Sequence, residues 1–442
     1  MCQQHSFFPF LKYPIRKSFK RLPTTTEWAR FRKYARKIRE LSSQETLPLE
    51  VFSVIQLGTI NEHLLPNLKT LALWRVEEHF IPFIPLFLSP GTTTIALRFG
   101  SGIPEAAIAS TITTLPTLCP NLQAISLDAL PVDPMITAAV SGMLLVTNRN
   151  TLQKLDVDSP LTKEASEVLY QLPSLRSLSV VIEGVPSLPP ASLPNLTELT
   201  IISDDDDDWP QLFHGATLGK LEFVIFYSHS RQIGDFLGAF ERAALSSSVQ
   251  NTLSRLYLFT GCSWNPSYSA LLPFTQMVAL DIRFLCDGGC SSTVDDSIVI
   301  NLSRAMPKLQ LLRLGENPCR QFATGVTAKG LVALAHHCQN LSLLRIHFQV
   351  TSLSATSVGP GVAPDAESTI SWTGCALTDL EVGKIPVPEG SVLMVALTLL
   401  RIFPRLIFID GTDEGWEKVA NAICHSKGIF DRSSKRRPFT TP

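Results

Sequence analysis

One short phrase recurs along this chain: an apolar residue followed three and five positions later by two more. Copies start at Leu68, Thr94, Leu122, Leu152, Leu175, Leu196, Leu221, Leu253, Met277, Leu309, Leu341, Leu377 and Leu406. Because side chains alternate across a strand, sets such as Leu68/Leu71/Leu73, Leu122/Ile125/Leu127, Leu309/Leu312/Leu314 and Leu341/Leu344/Ile346 form the inward face of a short strand. The starts fall roughly 21 to 36 residues apart, enough for one strand and one return segment per copy. A unit of that size cannot bury its apolar face alone, so the copies must stack.

Many copies open alike: Leu65-Pro66-Asn67-Leu68, Cys119-Pro120-Asn121-Leu122, Leu172-Pro173-Ser174-Leu175, Leu193-Pro194-Asn195-Leu196, Met306-Pro307-Lys308-Leu309 and Phe403-Pro404-Arg405-Leu406. Proline fixes its φ and lacks an N–H, so it ends the preceding helix and turns the chain into the strand. The preceding segments show helical apolar spacing over 105–118, 162–172, 232–245, 295–306, 327–337 and 391–403, with Thr162 and Thr327 as N-caps. Val392 to Ile409 reads as a buried helix followed by a strand; Arg401, Pro404 and Arg405 interrupt it before it reaches the roughly 18 uncharged residues of a membrane span.

Strand and helix alternating in one direction predict an α/β solenoid, a horseshoe with a parallel sheet on its concave face and helices on its convex face. The expected division is an N-terminal segment 1–45, an array 46–425 and a flexible tail 426–442. Residues 26–41 place Trp28, Phe31, Tyr34, Ala35, Ile38 and Leu41 on one face of a basic amphipathic helix, read as a cap on the first end of the array. Irregular stretches at 203–210 (with Asp204 to Asp208), 284–296 and 351–373 read as insertions in repeat loops.

Composition narrows the class. With 38 basic and 39 acidic residues the balance is near zero, which gives no general reason to expect nucleic acid. Nine cysteines without framework spacing point to reduced, mostly buried thiols and to the cytoplasm or nucleus. The phenylalanines at 7, 8 and 10 precede their basic residues, the wrong order for a secretory signal. Asn195 and Asn340 are expected to serve the strand entrance.

The helix Glu27-Trp-Ala-Arg-Phe-Arg-Lys-Tyr-Ala-Arg-Lys-Ile-Arg39, the strand segment after it, and Leu64-Leu65-Pro66-Asn67-Leu68-Lys69-Thr70-Leu71 with its irregular array resemble the fungal F-box and leucine-rich-repeat proteins. The resemblance covers nearly the whole chain. It implies a leucine-rich-repeat fold and the role of a substrate receptor in a cullin-RING ubiquitin ligase, where an F-box docks the adaptor subunit and the repeats hold the substrate. In that family the F-box precedes the Trp-Ala-Arg-Phe helix; here only residues 1–26 lie upstream, too few for its three helices. Leu47 to Ile55 imitates an F-box opening, but the repeat at Leu68 follows too soon, so the segment is read as a first strand or helix of the array. The ligase adaptor is thus an expected partner only of a product that carries an F-box.

No phosphate loop, His-Glu-x-x-His or Gly-x-Ser-x-Gly is present, so the expectation is a non-enzymatic protein-binding scaffold without cofactor or metal. The other reading is a scaffold regulating a signalling protein unconnected to ubiquitin. His336-His337-Cys338 is read as structural, since adjacent helical residues point apart. Exposed strand positions form two columns: Ala72, Ala96, Ala124, Lys154, Ser177, Glu198, Phe223, Arg255, Ala279, Leu311, Leu343 and Asp379, then Trp74, Arg98, Ser126, Asp156, Ser179, Thr200, Ile225, Tyr257, Asp281, Arg313, Arg345, Glu381 and Asp410. From these the candidate partner-binding patch is Phe223, Ile225, Tyr227, Tyr257, Phe259, Arg283, Arg313, Arg345 and His347, with arginines for acidic or phosphorylated groups. The competing reading makes the same row an ion ladder, Asp281 and Glu381 neutralising Arg313 and Arg345.

Overall fold

Backbone pairing between consecutive repeats organises the chain. The computed structural model describes residues 21–43, 54, 63–147, 150–169, 171–182, 195–203, 221–228, 240–242, 248–261, 268–285, 294–315, 325–354, 374–383, 385–411 and 413–428. The chain divides into two units, Met1–Ile202 and Ser203–Pro442.

In the first unit, β1 (Glu40–Ser43), β2 (Thr70–Val76), β3 (Thr94–Phe99), β4 (Ala124–Asp128), β5 (Lys154–Pro160) and β6 (Ser177–Ile182) pair in sequence order, all parallel. β7 (Glu198–Ser203) ends this run. In the second, β8 (Phe223–Ser228), β9 (Arg255–Gly261), β10 (Ala279–Leu285), β11 (Leu311–Leu314), β12 (Leu343–Ile346), β13 (Asp379–Gly383) and β14 (Phe408–Gly411) do the same. Mixed α/β structure with parallel strands in chain order is thus the architecture of both units.

Register puts the leucines in rows. Leu71, Ile95, Ile125, Leu155 and Leu178 are mutual partners and buried, as are Val224, Leu256, Leu280, Leu312, Leu344 and Leu380. The copy placed at Thr94 starts two residues earlier, at Thr92, because Ile95 pairs with Leu71. Thr92 is fully buried where other copies carry leucine, and its hydroxyl donates to Leu68 O (3.3 Å). The same shift corrects the columns in the first unit. Ala72 pairs with Ala96 and Ala96 with Ser126, so Ala72 and Ala96 belong to the second column, and Trp74 and Arg98 lie beyond it.

At strand entrances among the described residues one carbonyl accepts two successive N–H groups from the next repeat: Lys69 and Thr70 to Arg39 O, Gln123 and Ala124 to Thr93 O, Gln310 and Leu311 to Val278 O, Ser342 and Leu343 to Gln310 O. The residue after the entrance proline adds a side-chain bond backward. Asn67 donates to Arg36 O (2.8 Å) and Asn195 to Pro173 O (2.7 Å), which gives Asn195 its structural role.

Helices connect the strands. α1 (Thr25–Ala35) carries a capping box between Thr24 and Glu27. It stops at Ala35, short of Ile38 and Leu41, because the backbone from Arg39 onward pairs with β2; Leu41 lies in β1, inside the segment read as 1–45. α2 (Glu105–Leu118), α4 (Lys163–Leu169), α5 (Asp296–Ala305), α6 (Ala328–His337) and α7 (Val392–Ile402) stand where the spacing predicts them. α3 (Pro134–Val146) and α8 (Glu414–Ser426) were not foreseen: α3 is almost uniformly apolar and shows no stripe. α7 is not wholly buried, since Leu393, Met394 and Leu397 face outward. Most of 232–245, of 47–55, of the three insertions and of the tail falls outside the described residues.

Adjacent helices are also linked by caps. The Asp296 carboxylate of α5 accepts from Thr327 N (2.8 Å), Thr327 Oγ1 (2.6 Å) and Gly330 N (3.0 Å), closing the N-terminus of α6. A Cβ on Gly330 would stand 2.6 Å from that carboxylate oxygen, so glycine is required for the approach. Gly330→Ala is expected to lower stability by about 1–3 kcal/mol, and chemical denaturation followed by circular dichroism measures it. An exposed change on the same helix, Lys329→Ala, should stay within about 0.5 kcal/mol.

Candidate functional site

The second unit presents the predicted column in register. On the strand face opposite the leucine rows, Ile225 pairs with Tyr257, Tyr257 with Asp281, Asp281 with Arg313, Arg313 with Arg345, Arg345 with Glu381, and Glu381 with Asp410. Strands stand about 4.8 Å apart, so these side chains are nearest neighbours. The column of the first unit is chemically plain by contrast: Ser42, Ala72, Ala96, Ser126, Asp156 and Ser179.

Charges organise the middle of the row. Asp281 is fully buried and accepts from Arg283 Nε (2.9 Å) and Arg283 Nη2 (2.8 Å), and from Arg313 Nη1 (3.3 Å). Arg313 Nη2 reaches Glu381 (3.0 Å), whose other oxygen lies 3.2 Å from Arg345 Nη1. The ion ladder therefore exists, and it is nearly dry: Arg313 is 7% exposed. Removing charges from water at this depth is offset only by good pairing. Arg313 accordingly serves as the bridge between two carboxylates, while Arg283 and Arg345 form the ladder's half-buried margin.

Other candidates surround it. Phe259 is half-buried, and the Arg283 guanidinium stands 5.0 Å from its ring centroid, a cation–π distance. Tyr257 is buried and Ile225 half-buried. Arg255, one pair nearer the strand entrance, is exposed. The backbones of Phe223 and Tyr227 pair with Arg255 and Phe259, while their side chains fall outside the described residues. His347 follows β12, and burial, reinforced by Arg345, pushes its pKa below the ordinary imidazole value. The patch thus combines aromatic, apolar and cationic groups on one unit. The two anions that organise it, Asp281 and Glu381, were visible in the column, but the pairing of Arg283 with Asp281 on its own strand was not.

The His336-His337-Cys338 cluster is turned to local partners. Cys338 ends α6 and its thiol faces Ser303 O (3.7 Å) and Met306 O (3.6 Å), while the adjacent His336 and His337 turn their rings to each other. Burial pushes the Cys338 thiol up to about 12 and the Cys119 thiol up to about 11. Among the described residues no group of three or more His, Cys, Asp or Glu could hold a metal ion. Among them, too, no helix is long and apolar enough to cross a membrane.

No family model matches the chain, and no curated protein does. A solved structure that is similar is the crystal structure of the Rad7 and Elc1 complex in yeast, with a TM-score of 0.37 and 17% identity over 62% of this chain and 77% of that chain.

Three outcomes follow from these environments. Asp281→Ala strands buried guanidinium charge and should cost about 3–5 kcal/mol, whereas Asp410→Ala at the exposed end of the row should cost under about 0.5 kcal/mol; urea unfolding of both variants decides this. The unfolded chain binds the His347 proton more tightly than the folded chain, so stability should fall as pH drops through roughly 6.5. His347→Gln should flatten part of that slope in thermal melts between about pH 5 and pH 7.5. Cys119 and Cys338 should resist a thiol reagent at about pH 8 in the native chain and react once it is denatured.

Proposed function

We propose that this chain is a non-enzymatic scaffold that binds another protein through the exposed strand face of its second unit. The observation supporting this reading is the contrast between the two columns. A row of Ile225, Tyr257, Asp281, Arg313, Arg345 and Glu381 replaces the serines, alanines and single aspartate that line the same positions in the first unit. Aromatics beside arginines are what interface hot spots are made of, and the ion ladder beneath holds Arg283 and Arg345 in fixed positions. Binding is assigned to the margin of the ladder: Arg255, Phe259, Arg283, Arg345 and His347, with half-buried Ile225 as the apolar contact and buried Tyr257 beneath it. Arg313 supports them from below.

The finer reading rests on the family resemblance of the N-terminal helix and the repeats. In it the scaffold is the substrate-recognition part of an F-box subunit of a cullin-RING ubiquitin ligase, working in the cytoplasm or nucleus.

Affinity capture with the native-length chain, compared with Arg255→Glu and Phe259→Ala, tests both levels. The expected result is a defined protein retained by the native chain and lost, by roughly tenfold or more, in either variant. Equal retention by both variants contradicts the strand-face assignment. Co-purification of a ligase adaptor with the native-length product supports the ubiquitin reading, and a retained partner without any ligase subunit contradicts it.

A further inference from the structure

The near-neutral charge of this chain hides a segregation. Residues 1–39 hold eleven lysines and arginines and one acid, leaving 27 basic against 38 acidic residues in 40–442. Within the described part of that N-terminal segment, Arg30, Lys33 and Lys37 succeed one another at helical spacing and are exposed. Tyr34 stands among them, 42% exposed, with the Lys37 ammonium 6.0 Å from its ring centroid. On its other side Ala35 is buried and Trp28 and Phe31 are half-buried, and Asn67 of the next repeat donates to Arg36 O just past its end. Like charges at three- and four-residue spacing weaken a helix. The only acid in the segment, Glu27, is committed to the capping box and to Arg21.

A surface of opposite character lies at the end of the second unit. α7 turns Leu393, Met394 and Leu397 outward, 62%, 43% and 50% exposed. α8 packs beside α7 and exposes Glu414 and Glu417, and Glu389, just before α7, is exposed as well. Lys418 is tied to Glu414 at 2.9 Å and lies in the field of Glu389 and Asp413, which leaves the cluster anionic. Three exposed large apolar side chains thus stand beside an acidic rim at the start of α7, with Arg401 exposed at its far end.

We propose that α1 and the turn after it in one molecule dock on the α7–α8 surface of a second copy of this chain, Tyr34 against Leu393, Met394 and Leu397, and Arg30, Lys33 and Lys37 against Glu389 and Glu417. The assignment of a second copy rests on complementarity of both kinds: a cationic row around an aromatic ring meets an anionic rim around an apolar stripe. Such a contact joins two different surfaces, so a pair of molecules retains one of each unused and association continues with concentration. It uses neither the strand face nor any residue assigned to partner binding.

Sedimentation velocity of the full chain tests it. Species larger than a monomer should grow with concentration at about 50 mM salt and recede at about 500 mM, where exposed charges are screened. Lys33→Glu with Lys37→Glu should weaken association by more than roughly tenfold, and so should Glu389→Lys with Glu417→Lys. All four changes in one chain should restore it. Leu397→Ser, at an exposed position that leaves the core intact, should also weaken it. A chain that stays monomeric at low salt overturns the proposal. So does association that the Glu389/Glu417 changes leave intact, or four combined changes that fail to restore it while circular dichroism shows each variant folded.

Discussion

Parallel pairing of each strand with the strand of the next repeat is the constraint on which the rest depends. A parallel strand leaves its neighbour's edge open, and here that edge is taken by the following copy from its first residue. At entrances among the described residues one carbonyl receives two N–H groups, and an asparagine or a hydroxyl of the incoming repeat often adds a bond to that or a nearby carbonyl. These bonds and the buried leucine rows specify the same register. Once register is fixed, period-two alternation sends the leucines to one side as continuous buried rows and every intervening residue to the other.

The candidate surface is a direct product of this arrangement. Residues some thirty positions apart in sequence become nearest neighbours, so a column of arginines and carboxylates can pair sideways across β10 to β13. Burying such a row is costly unless each guanidinium meets a carboxylate. Asp281 and Glu381 satisfy that condition and hold the marginal arginines in position. Rigid presentation lowers the ordering cost of binding, which is what a scaffold needs from its own interior.

Much of this was legible in the spacing of apolar residues. Leu-x-x-Leu-x-Leu locates the strands, and proline two residues before the first leucine locates the helix ends, because both reflect constraints that act within a few residues. The misplaced copy at Thr94 shows the limit: Thr92 is polar in the alphabet but buried in the fold, its hydroxyl satisfied by Leu68 O. α3 escaped because a helix apolar on nearly every side has no stripe to read. The premature end of α1 escaped because its cause, the pairing of Arg39 with Lys69 and Thr70, lies thirty residues away. The column of the second unit was readable position by position. Which of its arginines lies buried was not, since that depends on how side chains from three strands share two carboxylates.

The central claim is that a protein partner lies against the strand face of the second unit. A photo-crosslinking side chain placed at Arg255, on the exposed start of β9, and another at Lys329, on the outer side of α6, separate the possibilities in one measurement on the native-length chain. Crosslinks to a common partner from position 255 and none from position 329 are predicted. A partner crosslinked from position 329 alone would contradict the account.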